Sequence, residues 1–288
     1  MGVCQMKKRR GIILWLVLIS VLFVIPAFAA DDAGSAGEEI LQEGSEMLQE
    51  GSEMIEDVVS GQQAMMEKAN ALLATKELDK ITQAISIYEE ILKNDPDDFG
   101  ATWHLAKAYR DYGYHGWQKR VSGWEDNCAK YGKLGMKSAQ KAISLEPEKV
   151  QGYYFYALSV GVYSDGVGIF TALREGLKDK TQENLETAYK IDKGFDKGGP
   201  ILGLGRFWQK VPWPYHDEDK AMKYYRELMK SEYFGGHVEH YIYPAEILMD
   251  QWGSEPKKEA RSLLKKAINS PIGSDYWKSY ARQLLADL

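Results

Sequence analysis

Small and apolar residues return along this chain at the same helical offsets, and no other feature limits its fold so tightly. Gly135, Ala139, Ala142 and Pro147 are separated by four, three and five positions. Ala84, Tyr88, Ile91 and Pro96 repeat those steps upstream, and Thr181, Leu185, Ala188 and Lys193 repeat them downstream. Ala221, Tyr225 and Leu228, then Ala260, Leu264 and Ala267, carry the first two steps again. Steps of three and four keep a row of side chains on one helical face, and small members of that row let a second helix cross closely. Leu105, Ala106 and Tyr109 form the stripe that precedes the Gly135 row, so residues 99–149 read as two helices folded into a hairpin. Short Gly, Pro and Asp breaks separate the helix-length segments, and no run alternates in the manner of a strand.

The segment endings KNDPDD, after the Ala84 row, and SLEPEK, after the Gly135 row, give the repeat a further signature. With these endings the pattern resembles the tetratricopeptide repeat (TPR) family, whose unit is a helix-turn-helix of about 34 residues closed by a proline. The resemblance covers Met65 to Leu288 and implies an all-α, helical-hairpin solenoid of about four to five hairpins, with degenerate units at its ends. Two stretches interrupt the repeat. One, near 111–132, holds Tyr112, Tyr114, Trp117, Trp124 and Cys128 among several glycines; the other, near 164–178, reads SDGVGIFTALREGLK and suggests a loop leading into an extra or lengthened helix. Insertions of this size in a solenoid are where specific function tends to sit. The run GGPILGLGRFWQKVPWPYHDEDKAMKYY, with GIFTALREGLKDKTQENLETAYKID before it, is also similar to exported bacterial TPR proteins of the type associated with TRAP solute transporters. That second resemblance implies an accessory to transport.

Charge is placed unevenly. Before Ala30 the bases are Lys7, Lys8, Arg9 and Arg10, whereas between Ala30 and Met66 there are acids and no Lys or Arg. With those two segments set aside, the 36 bases and 42 acids of the chain come into balance. A neutral body carries neither a nucleic-acid footprint nor a polybasic membrane patch. The basic start, the apolar run Gly11 to Ile25, the Pro26 break and Ala27-Phe28-Ala29 read in order as a signal peptide, 1–29, cleaved after Ala29. The run is short for a membrane span of about 20 residues. A lipoprotein needs a cysteine just after such a run, and Cys4 lies before it. The expected location is therefore the bacterial periplasm or the exterior, with the membrane involved only through the signal segment. Once that segment is removed, Cys128 is a single thiol and no internal disulfide forms.

Residues 30–64 read as an acidic helical arm. LQEGSEM occurs twice in succession, Leu41 to Met47 and Leu48 to Met54, so a seven-residue period places Leu41, Met47, Leu48, Met54 and Ile55 on one face. Gly44 and Gly51 each cost such a helix about 1 kcal/mol relative to alanine, and the arm is expected to need a partner surface, its own body or another protein.

In TPR proteins the first helices of successive hairpins line a concave groove. By that resemblance Trp103, Lys107 and Arg110, spaced four and three apart, would line it, with Tyr154 one repeat on in the place of Trp103. Aromatic planes beside cations suit an acidic extended peptide or an organic acid. The competing reading makes Trp103 and Tyr154 core and leaves the cations solvated. His237, Glu239 and His240 come nearest to a metal cluster, but HVEH lacks the spacing of a zinc protease, and His216 with Asp217 and Asp219 is no stronger. GLGRF and DGVGIF lack the Gly-Lys-Ser/Thr ending of a phosphate loop. No set of acid, base and nucleophile emerges, and Cys128 has no family signature around it. The sequence thus predicts a non-catalytic protein without cofactor that holds a protein or peptide partner, with a transporter's periplasmic substrate-binding protein as the partner the second resemblance implies.

Overall fold

The structure, a computed structural model, describes residues 34–288; the expected signal segment and its cleavage site lie outside them. Two units meet between Ala64 and Met65. Helix α1 spans Gly34–Ala74. In the first unit the duplicated heptad makes the same bond twice: Gln42 Nε2 donates to Glu46 Oε1, and Gln49 Nε2 to Glu53 Oε1, each at 3.2 Å.

The second unit is a stack of helical hairpins, and its described residues contain no strand. The end of α1 pairs with α2, Leu78–Asn94, through Ala69, Leu73, Ile81, Ala84 and Tyr88, and the Tyr88 hydroxyl donates to Asn70 Oδ1 at 2.7 Å. Then follow α3, Phe99–Gln118, with α4, Trp124–Leu145; and α5, Val150–Val167, with α7, Leu177–Asp192, the short α6, Ile169–Arg174, lying between them in sequence. The last hairpins are α8, Phe195–Lys210, with α9, Glu218–Met229, and α10, Glu239–Asp250, with α11, Ser254–Asn269; α12, Asp275–Ala286, ends the stack. Breaks fall where backbone chemistry puts them. Helices α2 and α4 stop two residues before Pro96 and Pro147, which cannot donate to a continuing helix. Asp98 and Asp217 cap α3 and α9 by accepting from the Ala101 and Lys220 amides at 2.7 and 2.8 Å.

The recurring small residues lie at the crossings. Ala84, Ala106, Ala139, Ala142, Ala188, Ala221, Ala260 and Ala267 are all fully buried. The closest approach is α4 against α5. A side chain at Gly132 would sit 2.6 Å from the Tyr163 backbone nitrogen, and one at Gly166 would sit 2.4 Å from the Glu125 carbonyl oxygen. The two insertions are accommodated largely as helix. Residues 111–118 lengthen α3, and α4 starts at Trp124 after a turn in which Arg120 and Gly123 take positive φ. The second insertion extends α5 to Val167 and forms α6 between Gly168 and Gly176, which also have positive φ. The longer α3 carries Tyr114 and Trp117 beyond the reach of an ordinary hairpin.

Candidate functional site

The first helices of successive hairpins, α3, α5, α8 and α10, together with α6, α7 and α12, wall a concave cavity of about 550 Å³. Its charged lining is Arg110 on α3, Asp165 on α5, Lys178 on α7, and Arg206 and Lys210 on α8. Its aromatic lining is Tyr114, Trp117, Phe207, Tyr243 and Trp277.

Both arginines are held before any ligand arrives. The Arg110 guanidinium stacks 4.2 Å above the Tyr114 ring and donates to Asp111 Oδ1 at 3.0 Å, while Lys107 Nζ reaches Asp111 Oδ2 at 2.5 Å. Arg206 stacks 3.8 Å above Tyr243 and donates to Gln209 Oε1 at 3.0 Å and to Glu246 Oε2 at 2.5 Å. Glu246 also accepts from the Tyr280 hydroxyl at 3.0 Å and lies 3.7 Å from Lys210. A guanidinium fixed on an aromatic plane loses little freedom when it meets a carboxylate or phosphate, which is the advantage of arginine at such a site. One polar atom of this set is buried without a partner, Arg110 Nε.

A bridge closes one side of the cavity. Trp277 Nε1 on α12 donates to the Tyr114 hydroxyl at 2.8 Å, and that hydroxyl donates to Glu239 Oε1 at 2.7 Å. Trp117 packs edge-on against Tyr276, ring centres 4.9 Å apart. The residues of the first insertion thereby touch α12.

Of the four residues the repeat pattern assigns to the groove, Arg110 lines the cavity and the others do not. Lys107 turns to Asp111. Trp103 is sandwiched between His104, at 3.5 Å, and Phe155, at 5.8 Å. Tyr154 is buried and donates to Asp196 Oδ2 at 2.9 Å. The first turns of the first helices are thus packing, and the open cavity begins one to two turns later. Sequence reasoning missed Arg206, Lys210, Tyr243 and Trp277. The Arg206 and Lys210 pair, four apart like many charged pairs on a helix, signalled itself only weakly.

His237 serves the backbone. Asp196, Lys197 and Gly198, at the start of α8, are three successive residues in the left-handed region, which costs a side-chain-bearing residue about 1–2 kcal/mol. His237 Nε2 donates to the Asp196 carbonyl at 2.8 Å and lies 3.5 Å from its carboxylate. Burial by itself would lower the His237 imidazole, but Asp196 beside it raises it above its ordinary value. A raised histidine stabilises the fold fully below its unfolded pKa of about 6.5 and loses that contribution as pH rises through the folded value. The stability gap between the parent and His237→Gln is therefore expected to be widest at acidic pH and to close above neutrality, checked by urea melts across pH. His104, pushed down to about 4 by burial, acts in the opposite sense in both chains and cancels in that difference, whereas His240, pushed down to about 3 by burial and by His237 beside it, is partly relieved in the variant and narrows the gap in stronger acid. Cys128 is buried, its Sγ 3.5 Å from the Gly113 carbonyl, and burial pushes the thiol up to about 12, so it stays protonated and unreactive. Among the described residues no three His, Cys, Asp or Glu side chains converge to hold a metal ion.

A comparison with curated proteins finds no match. Residues 65–199 match the family described as Regulator of microtubule dynamics protein 1-3. Among solved structures, TTC0263, a thermophilic TPR protein in Thermus thermophilus, superposes with a TM-score of 0.55 at 15% identity, covering 78% of this chain and 99% of that one. A MamA structure aligns at 18% identity with a TM-score of 0.44, over 73% of this chain and 91% of its own. The likeness to the Thermus protein shows the fold: this chain is an all-α, TPR-like helical-hairpin solenoid.

Proposed function

We propose that the protein is an exported, non-catalytic binding module whose concave face holds an acidic, aromatic-bearing segment of a partner protein. The observation that carries this reading is the pair of pre-stacked arginines, Arg110 and Arg206, on two helices of a cavity walled largely by aromatic and aliphatic side chains. Such a wall supplies contact area while the guanidinium groups select for anionic groups. Export rests on the basic, apolar and small-residue order of residues 7–29. N-terminal sequencing of the exported protein should begin at Ala30, and recovery of residues 1–28 intact in the membrane fraction would count against it.

The second reading is an accessory of a TRAP-type solute transporter that binds or passes a small organic acid. It is favoured by the Tyr114 to Trp277 bridge, which encloses the cavity, and by a volume within the roughly 300–1,000 Å³ of small-ligand sites. One experiment separates the two. The full mature chain and its Trp117→Ala variant are used to capture partners from periplasmic extract, followed by native mass spectrometry. A protein recovered with the parent and lost with Trp117→Ala supports the first reading. A bound species of a few hundred daltons without any protein supports the second, and equal recovery with both chains refutes a role for the cavity.

A further inference from the structure

Asp165 is the anomaly in this cavity. It stands on α5 among the cavity-lining residues and makes no hydrogen bond or ion pair with any described residue. Every cation lining the cavity is committed elsewhere: Arg110 to Asp111, Arg206 and Lys210 to Glu246, and Lys178 to Asp179 at 2.6 Å. An unpaired carboxylate in the cavity that also holds Arg110 and Arg206 acts on whatever anion enters.

We propose that Asp165 is the resident counter-charge of the cavity, and that an amphipathic organic anion, a carboxylate or similar head on an apolar body, binds there with uptake of one proton by Asp165. The proposal rests on the reading of the concave cavity as the binding site. The ionised carboxyl opposes an incoming anion in the same cavity, whereas the neutral carboxyl leaves Arg110, Arg206 and Lys210 to act on the ligand alone. The proton comes from solvent and stays on the Asp165 oxygen while the ligand is bound, so charge balances without other chemistry.

The groups that act on Asp165 come from each wall. They are Arg110 and Arg120 from the α3 side, Arg206 and Lys210 from α8, and, on its other sides, Cys128 of α4, which Glu125 also affects, and Tyr276 of α12. Although Asp165 reaches solvent through the cavity, the surrounding walls push its carboxyl up to about 6, while Arg206 and Arg110 pull the other way. A second anion bound nearby raises it further, because like charges disfavour joint ionisation. Linkage then requires that affinity for the anion fall as pH rises between the free and the ligand-bound values of the carboxyl, and level off above the latter. His115 on α3, pushed down to about 4, does not titrate in that range.

The test uses the mature chain with two fluorescent probes of the same ring system, anilinonaphthalene sulfonate and uncharged phenylnaphthylamine, titrated from about pH 6 to about pH 8. The sulfonate should weaken progressively with rising pH, and the uncharged probe should not change. Asp165→Asn should remove the slope and bind the sulfonate about tenfold more tightly than the parent near pH 8. Calorimetry of the parent in buffers of different ionisation enthalpy should show net proton uptake with the sulfonate. Competition by naphthoate or by a short Glu- and Phe-rich peptide keeps the proposal and identifies the source of the anion. A pH-independent affinity of the parent for the sulfonate, or an equal slope for the neutral probe, overturns the role of Asp165 and leaves the cavity as the binding site. Absence of binding by either probe, with no displacement by acid or peptide, overturns both.

Discussion

Gly132→Leu is expected to destabilise the protein by about 3 kcal/mol or more, enough to lower its melting temperature by about 10 °C. The first added atom would lie 2.6 Å from the Tyr163 nitrogen and 2.7 Å from its Cα, so what stands in the way is the α5 backbone and no rotamer change relieves it. Helices α4 and α5 would have to move apart, and Gly135 and Gly166 on the same seam would lose their close contacts as well. Gly161→Ala is the matched control. It lies on α5, a side chain there would meet nothing within 4 Å, and alanine is the better helix former by about 1 kcal/mol. Thermal melts that show Gly132→Leu equal to the parent would mean that the two helices do not cross as described.

Asp111→Ala is expected to have the second large effect, about 3 kcal/mol at neutral pH, read from urea midpoints. The carboxylate is 8% exposed and, among the described residues, is the only acid bonded to Lys107 and Arg110, so its removal leaves two cations with nothing to offset them. Burial by itself would raise the Asp111 carboxyl, but Lys107 and Arg110 more than reverse that and hold it below its usual range. A depressed carboxyl contributes its stability above the unfolded pKa, about 3.9, and loses it as pH falls through the folded value. The parent and the variant should therefore converge in strong acid. A gap that stays constant as pH falls would mean that the ion pairs are not what Asp111 contributes. Arg110, released from its carboxylate, would also lose its fixed stacking on Tyr114, so anion binding should weaken along with stability.

The fold was legible because the information that sets it is local and periodic. Ala139 and Ala142 declare a crossing face by their spacing, and every alanine in those rows is fully buried. The cavity was legible only in part. Periodicity says which residues share a face of α3, and Arg110 on that face lines the cavity. It does not say how far along the helix the packing ends. Trp103 and Tyr154, at the start of their helices, meet the preceding and following hairpins and are consumed by contacts with Phe155 and Phe195. The open wall lies further on, where Tyr114 and Trp117 meet Tyr243, Tyr276 and Trp277. Those partners belong to segments far apart in the chain, so no window of sequence reveals that they share one space. The first insertion, read as the place where function sits, contributes two of the cavity's aromatic walls.

The Tyr114 to Trp277 bridge joins residues 163 positions apart. A hairpin stack otherwise communicates only between neighbours, so each hairpin can settle against the one before it without the rest of the chain. The bridge does not share that freedom, because its donor arrives only with α12, after every hairpin of the stack has been made. Most of the solenoid can be in place early, whereas the enclosed cavity comes into being only when α12 has docked. A chain cut short of α12 would keep its hairpins and present an unwalled binding face, so that helix ties the ability to hold a ligand to the completion of the whole stack.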